Sequence, residues 1–296
     1  MVAVNDPNTH IVKTYRYLRI SMISLVVALG VAVAHEMIEK KGNCFQTSIS
    51  AYWYTPAQAV FVGTLIAIGV CLIALKGNTE WEDIFLNCAG MLAPFVALVP
   101  TPGPGKCQTV KVDALERTAA VENNVTALLA VGLLGVVLAA VFALRSSGTA
   151  RTSQFGMAVA AVILVGAAIW FWTDLESFIG NAHYTAALTM FGFIILVVAW
   201  NAWQFARHTT DDVTTMDRRE VATNRYAIVA AAMVGSLVLM GGYAKLFGWD
   251  HAVLWIEGVL ISLFAIFWII QTKELWGEGI RSEEPAAPGT PATFVG

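Results

Sequence analysis

Apolar residues in this chain gather in runs of about 20, the length a helix needs to cross a hydrocarbon core. Eight such runs are legible, over 19–38, 56–76, 83–100, 125–144, 155–174, 183–205, 226–246 and 251–272. None alternates polar and apolar with the period of two that marks a transmembrane strand. In lipid, a helix satisfies its backbone from within. The pattern therefore predicts an all-α fold, a polytopic transmembrane helix bundle of about eight spans. The divisions expected are a cytoplasmic N-terminal segment over 1–18, the bundle over 19–273, and a cytoplasmic, unstructured tail over 274–296. The tail's last part, 282–296, is rich in Pro and Ala and reads as unstructured.

Composition agrees with the pattern: 57% of the 296 residues are hydrophobic and 13% are charged, whereas a soluble domain is about a quarter charged. A net charge of −3 gives no pull toward nucleic acid, and the partner this sequence expects is the bilayer itself. The basic residues set the orientation. With the N-terminus inside, the inner segments hold Lys13, Arg16, Arg19, Lys76, Arg145, Arg151, Arg207, Arg218, Arg219, Arg225, Lys273 and Arg281, which is 12 of the 18 Lys and Arg. Positive-inside bias then puts both termini in the cytoplasm. The first run also has features of a signal peptide, with Lys13, Arg16 and Arg19 ahead of it and Ala32-Val33-Ala34 at its end. Retention as the first span is the preferred reading, cleavage the alternative.

Of four cysteines, Cys71 and Cys88 lie within spans and read as small packing residues. Cys44 and Cys107 fall in outer loops, an oxidising side, where a disulfide is expected. Glycines and alanines are dense in the fourth and fifth spans, including Gly132, Gly135, Gly156 and Gly166, and point to close helix packing.

Ionisable groups inside a bilayer are costly and so are candidates for function. Glu257 stands out, five residues or more from any other charge in Leu254-Trp255-Ile256-Glu257-Gly258. A carboxyl there needs a partner or water, with Lys245 or His183 the candidates. His183 opens the sixth span, and Ser48-Ile49-Ser50-Ala51-Tyr52-Trp53-Tyr54-Thr55-Pro56 packs hydroxyls and aromatics just ahead of the second. An aromatic interfacial belt explains such a stretch, and so does the lip of a binding site. Glu257, His183, Ser50, Tyr52 and Tyr54 are the expected ligand-binding set on the outer face. His35, His183 and His251, from three spans, share that face. Three histidines with an open position are a zinc pattern, so zinc is the one cofactor considered. On the inner side, an ion pair of Asp83 with Arg225 or Arg19 is expected to lock helix ends, with a proton or ion gate as the alternative.

Three stretches carry a resemblance. Ser48–Pro56 with Val60-Phe61-Val62-Gly63 is one, and Trp81–Pro100 with Glu82-Asp83, Asn87 and Ala89-Gly90 is another. Asn224-Arg225-Tyr226 with the helix of Glu257 is the third. Together they resemble a family of uncharacterised bacterial polytopic membrane proteins. The resemblance implies residence in the bacterial cytoplasmic (inner) membrane, and fourth and fifth spans that are additions to a smaller set. It implies no activity. A more distant likeness is to intramembrane hydrolases of the alkaline ceramidase type, whose paired-histidine motif the last span lacks. The functional reading is an outward-facing polar pocket that binds a small molecule or lipid headgroup. The alternatives are a metal-dependent intramembrane hydrolase, in which Glu257 or Glu36 serves as base, and a transporter or accessory subunit.

Overall fold

Each apolar run becomes one helix. The computed structural model describes residues 7–39, 45–107, 110, 113–145, 151–209, 224–277 and 279–281. The helices are α1 (Pro7–Glu39), α2 (Gln58–Ala74), α3 (Glu80–Leu98), α4 (Ala114–Arg145), α5 (Arg151–Thr173), α6 (Leu175–Thr209), α7 (Arg225–Phe247) and α8 (Ala252–Glu274), with a 3₁₀ turn at Ser50–Tyr54 ahead of α2. No strand occurs among the described residues. Seven of these helices are long and apolar enough to cross a membrane, and α2, with 17 residues, is the shorter one. The fold is the polytopic α-helical bundle that the pattern predicts.

Local chemistry sets several boundaries. Thr79 caps α3 by accepting from the Glu82 amide, and Glu80, Glu82 and Asp83 in its first turn suit the positive end of the helix dipole. Asn224 caps α7, accepting from the amides of Tyr226 and Ala227. Helix α7 ends at Gly248, whose φ of 67° is the left-handed C-cap conformation glycine favours.

Six helices close into a ring. Helix α1 packs on α2 and α8, α3 on α2 and α6, and α7 on α6 and α8. Helices α4 and α5 form a hairpin outside the ring, resting on α3, with α5 also touching α6. Burial follows this arrangement: 61% of the α3 span is buried within the protein against 6% of the α4 span. The ring has two ends. The apical end carries residues 45–57, 99–107 and 248–251, and the basal end carries residues 75–79, 224, 275–277 and 279–281.

The tightest backbone approach joins α2 to α3. A Cβ on Gly69 would lie 2.7 Å from the carbonyl oxygen of Gly90, and one on Gly90 would lie 2.7 Å from that of Gly69. Small residues let helix backbones meet this closely, and in lipid such packing drives association. In the outer hairpin Gly132 faces Leu164 and Gly156 faces Ile84 of α3, while Gly135 and Gly166 face open space. The glycine density there thus marks only part of the packing.

Helix α1 runs unbroken through Ala32-Val33-Ala34 and buries Met22, Leu29 and Val33 against the ring. The segment after α8 departs from expectation. Residues 275–277 and 279–281 belong to the packed structure rather than to a tail, because three basic side chains hold them. Arg16 bonds the carbonyl of Trp276, Arg19 donates to the carbonyl of Gly279 at 2.5 Å, and Arg281 reaches Glu274. Residues 282–296 lie outside the described residues. The free cysteines among the described residues are Cys71 and Cys88. Cys107 is buried at the apical end, and Cys44 lies outside the described residues.

The Gly69–Gly90 contact makes a direct prediction. Gly90→Val should lower stability by roughly 1–3 kcal/mol, the cost of overpacking a tight contact. Gly63→Val on the exposed side of α2, where a Cβ meets nothing within 4 Å, should change it little. Thermal unfolding of the two variants in detergent checks the difference, and equal shifts would refute the contact.

Candidate functional site

The first amides of a helix lack partners within it, and at the start of α8 the segment before α2 supplies one. The amide of Leu254 donates to the carbonyl of Thr47 at 3.0 Å. One turn earlier, His251 donates through Nδ1 to the carbonyl of Gln46 at 3.0 Å. One turn later, the Glu257 carboxylate accepts from the amide of Ile49 at 2.6 Å, the amide of Ser50 at 3.3 Å and the hydroxyl of Ser50 at 3.2 Å. Spacing by three puts residues 251, 254 and 257 on one helical face, so α8 presents a ladder to the 45–50 segment. Ile49 is the N-cap of the 3₁₀ turn and has no side-chain oxygen to give it. Glu257 provides that cap from another helix.

Gln46, 0% exposed, ties this segment to the loop after α3. Its Oε1 accepts from the amides of Lys106 at 2.8 Å and Cys107 at 3.2 Å. Its Nε2 donates to the carbonyls of Ala51 at 3.3 Å and Pro104 at 3.2 Å. Tyr54 donates its hydroxyl to the carbonyl of Thr101 at 2.7 Å. The Tyr52 hydroxyl accepts from the amide of Gln46 at 3.4 Å, and burial pushes its phenol up from the ordinary value, so Tyr52 stays neutral at physiological pH. His183, buried on α6, donates through Nδ1 to the carbonyl of Val99 at 2.7 Å. The exposed Lys106–Asp250 pair, at 2.8 Å, closes the rim. The bond and charge of Lys106 hold the Asp250 carboxyl below its usual value, so this pair is intact at neutral pH and is lost as the medium turns acid.

Beneath this layer lies a narrow cleft of about 50 Å³. Five of the six ring helices line it, through residues such as Leu29, Leu65, Val96, Met190 and Phe264. On α2 the lining runs from Phe61 to Leu72, roughly 16 Å at the helical rise. Ser50 and Glu257 are the polar residues among those that line it, and both belong to its apical end.

The basal end has a second carboxylate, which the sequence shows only as part of the Glu82-Asp83 pair at the start of the third run. Glu82 is 2% exposed. Its Oε2 accepts from the amide of Asn78 at 2.8 Å and from the Asn78 side chain at 2.9 Å. Its Oε1 accepts from Asn201 of α6 at 2.8 Å and Gln271 of α8 at 3.2 Å. Asn78 Oδ1 in turn accepts from the amide of Arg281 at 2.7 Å. Four donors fill this buried carboxylate, in a network that joins α3, α6, α8 and the C-terminal segment.

Three expectations change. The Asp83–Arg225 pair does not form: Asp83 pairs with Lys76 at 2.5 Å and Arg225 with Glu274 at 2.6 Å. The short turn from α2 to α3 returns Lys76 to Asp83, whereas α7 packs on α6 and α8. The three histidines do not converge. His35 sits exposed beside Glu39 at 3.8 Å, and His183 and His251 are each spent on a backbone carbonyl. No cluster of three or more His, Cys, Asp or Glu suited to a metal occurs among the described residues. Neither Lys245 nor His183 partners Glu257, whose bonds are to Ile49 and Ser50. Of the five residues expected around a ligand, Ser50 and Glu257 line the cleft, while His183, Tyr52 and Tyr54 brace the layer above it.

This arrangement defines the class as a multi-pass helical membrane protein with an apolar interhelical cleft headed by a carboxylate. Comparison with known protein families, curated proteins and solved structures gives no match.

Gly105 tests the apical layer. Its φ is +67°, and a Cβ there would lie 2.1 Å from Gln46 Oε1. Gly105→Ala should therefore cost about 1–3 kcal/mol through strain and collision. Gln46→Ala should remove the collision, so the double variant should lose less than the sum of the two single losses. Additive losses in a thermal-unfolding cycle would show that the two residues do not meet.

Proposed function

We propose that this protein binds an amphiphilic small molecule or lipid in the cleft, with the apolar tail among α1, α2, α6 and α8 and the polar head at Ser50 and Glu257. The observation that carries this reading is the form of the cleft: a long apolar slot within the ring whose polar lining is confined to one end. Sites of this kind are mostly apolar with a few placed polar groups. Around it, the reading places the chain in a bacterial cytoplasmic membrane with both termini in the cytoplasm, supported by the surplus of Lys and Arg on the inner segments. The apical end then faces outward, where a Cys44–Cys107 disulfide would fasten the segment before α2 to the loop after α3. The position of α4 and α5 outside the ring fits their reading as additions to a smaller bundle.

Native mass spectrometry of the purified protein tests the binding. The wild type should leave its micelle carrying about one amphiphile per chain. Leu65→Trp, which fills the slot, should carry none while keeping the wild-type circular dichroism spectrum. A wild type that carries nothing, or a folded Leu65→Trp that keeps its amphiphile, would overturn the proposal. Orientation has its own check: a membrane-impermeant thiol reagent applied to intact cells should label Lys106→Cys and fail to label Lys273→Cys.

A further inference from the structure

The described carboxylates inside the ring differ in their counterions. Glu274 has Arg225 and Arg281 at 2.6 and 2.5 Å. Glu82 forms no ion pair among the described residues, but four neutral donors fill its acceptor positions and it lies outside the lining of the cleft. Among the described residues no Lys, Arg or His forms an ion pair with Glu257. Its three bonds come from two amides and a hydroxyl, donors that hold a carboxylate in place without cancelling its charge. The nearby cationic candidates are engaged elsewhere or turned away. Lys106 pairs with Asp250, Lys245 is exposed on α7, and His183 and His251 donate to carbonyls.

A carboxyl group without a counterion at the apical end of an apolar slot selects the sign of what enters. A cationic head close to Glu257 favours its ionised form and gains a Coulomb attraction that the low-polarity surroundings strengthen, whereas an anionic head gains none. The tail gains from the apolar lining whatever head it carries. From this juxtaposition we infer that the ligand class of the cleft is a single-chain cationic amphiphile, its ammonium head at Glu257 and Ser50 and its alkyl chain along α2 toward Leu72. The inference rests on the binding reading above and adds the sign of the head. The exposed Asp250 at the rim already has Lys106 as counterion, so Glu257 is the group that discriminates.

Three probes of one chain length separate the two ideas: dodecyltrimethylammonium, dodecanol and dodecyl sulfate, each titrated at submicellar concentration against the full chain in nonionic micelles and read by native mass spectrometry. The cation should bind at least about tenfold tighter than the sulfate, with dodecanol between them. Glu257→Gln should bring the three within about threefold of one another, and Asp250→Asn should leave the ranking unchanged. Equal binding of cation and sulfate by the wild type would overturn the inference and leave the cleft reading standing. Binding of none of them would overturn both. The wild-type ranking decides the matter even if Glu257→Gln fails to fold. A ranking that survives in folded Glu257→Gln would also overturn the inference, because the selectivity would then come from elsewhere.

Discussion

Lipid solvates charge poorly, so a carboxylate placed among apolar helices must draw its hydrogen bonds from the protein. Both ends of this bundle are organised around that requirement. At the apical end the donors to Glu257 are the Ile49 and Ser50 amides and the Ser50 hydroxyl. At the basal end the donors to Glu82 are Asn78, Asn201 and Gln271. In each case the acid recruits groups distant in sequence, and satisfying it fixes how separate helices meet. Removing one partner from such a group costs more than the bond itself is worth, because the remainder stays buried and unmet. The polar residues of this chain are few, and these therefore weigh heavily in specifying one arrangement of otherwise interchangeable apolar helices.

The two acids are not equivalent. Glu82 is closed in by carboxamides, and the lining of the cleft does not include it. Its network joins three helices and the C-terminal segment, which is the work of a lock. Glu257 also braces structure, since it caps the 3₁₀ turn, but it reaches the cleft as well. A group can do both because a carboxylate has about four acceptor positions, and the three donors here leave room for another. Glu82, with four donors, has no such spare position.

How much of this was legible beforehand depends on the range of the interactions. The eight helices follow from hydropathy, a local property, and each appears where its run lies. Glu257 was also visible, because isolation among apolar residues is a sequence fact. Its partners were not. The segment 48–56 showed its hydroxyls and aromatics, yet the bonds that matter at Ile49 come from its backbone amide, which no side-chain pattern reveals. Gln46 gave no signal at all: it is one glutamine in a loop, and its role depends on Gly105 leaving space for Oε1. The Asp83–Arg225 expectation failed for a related reason. Side and depth can be read from the sequence, but position around the ring cannot, and Asp83 and Arg225 share a side without sharing a neighbour. The histidines failed likewise, sharing a face while each meets a different carbonyl or acid.

Helical periodicity connects the cleft to both ends. On α8, residues 257, 261, 264, 268 and 271 recur at spacings of three and four and so form one stripe. The stripe begins at Glu257, passes Ile261, Phe264 and the buried Trp268, and ends at Gln271 in the Glu82 network. On α6 the same spacing runs from His183 through Ala187, Met190 and Ile194 to Asn201. Two helices thus carry an inward face that is polar at each end and apolar between, and the cleft occupies the apolar stretch. Trp268 lies on that stripe between Phe264, which lines the cleft, and Gln271, and its ring is fully buried. On α8 the lining of the cleft thus runs from Glu257 to Phe264, and the Glu82 network lies beyond it at the basal end.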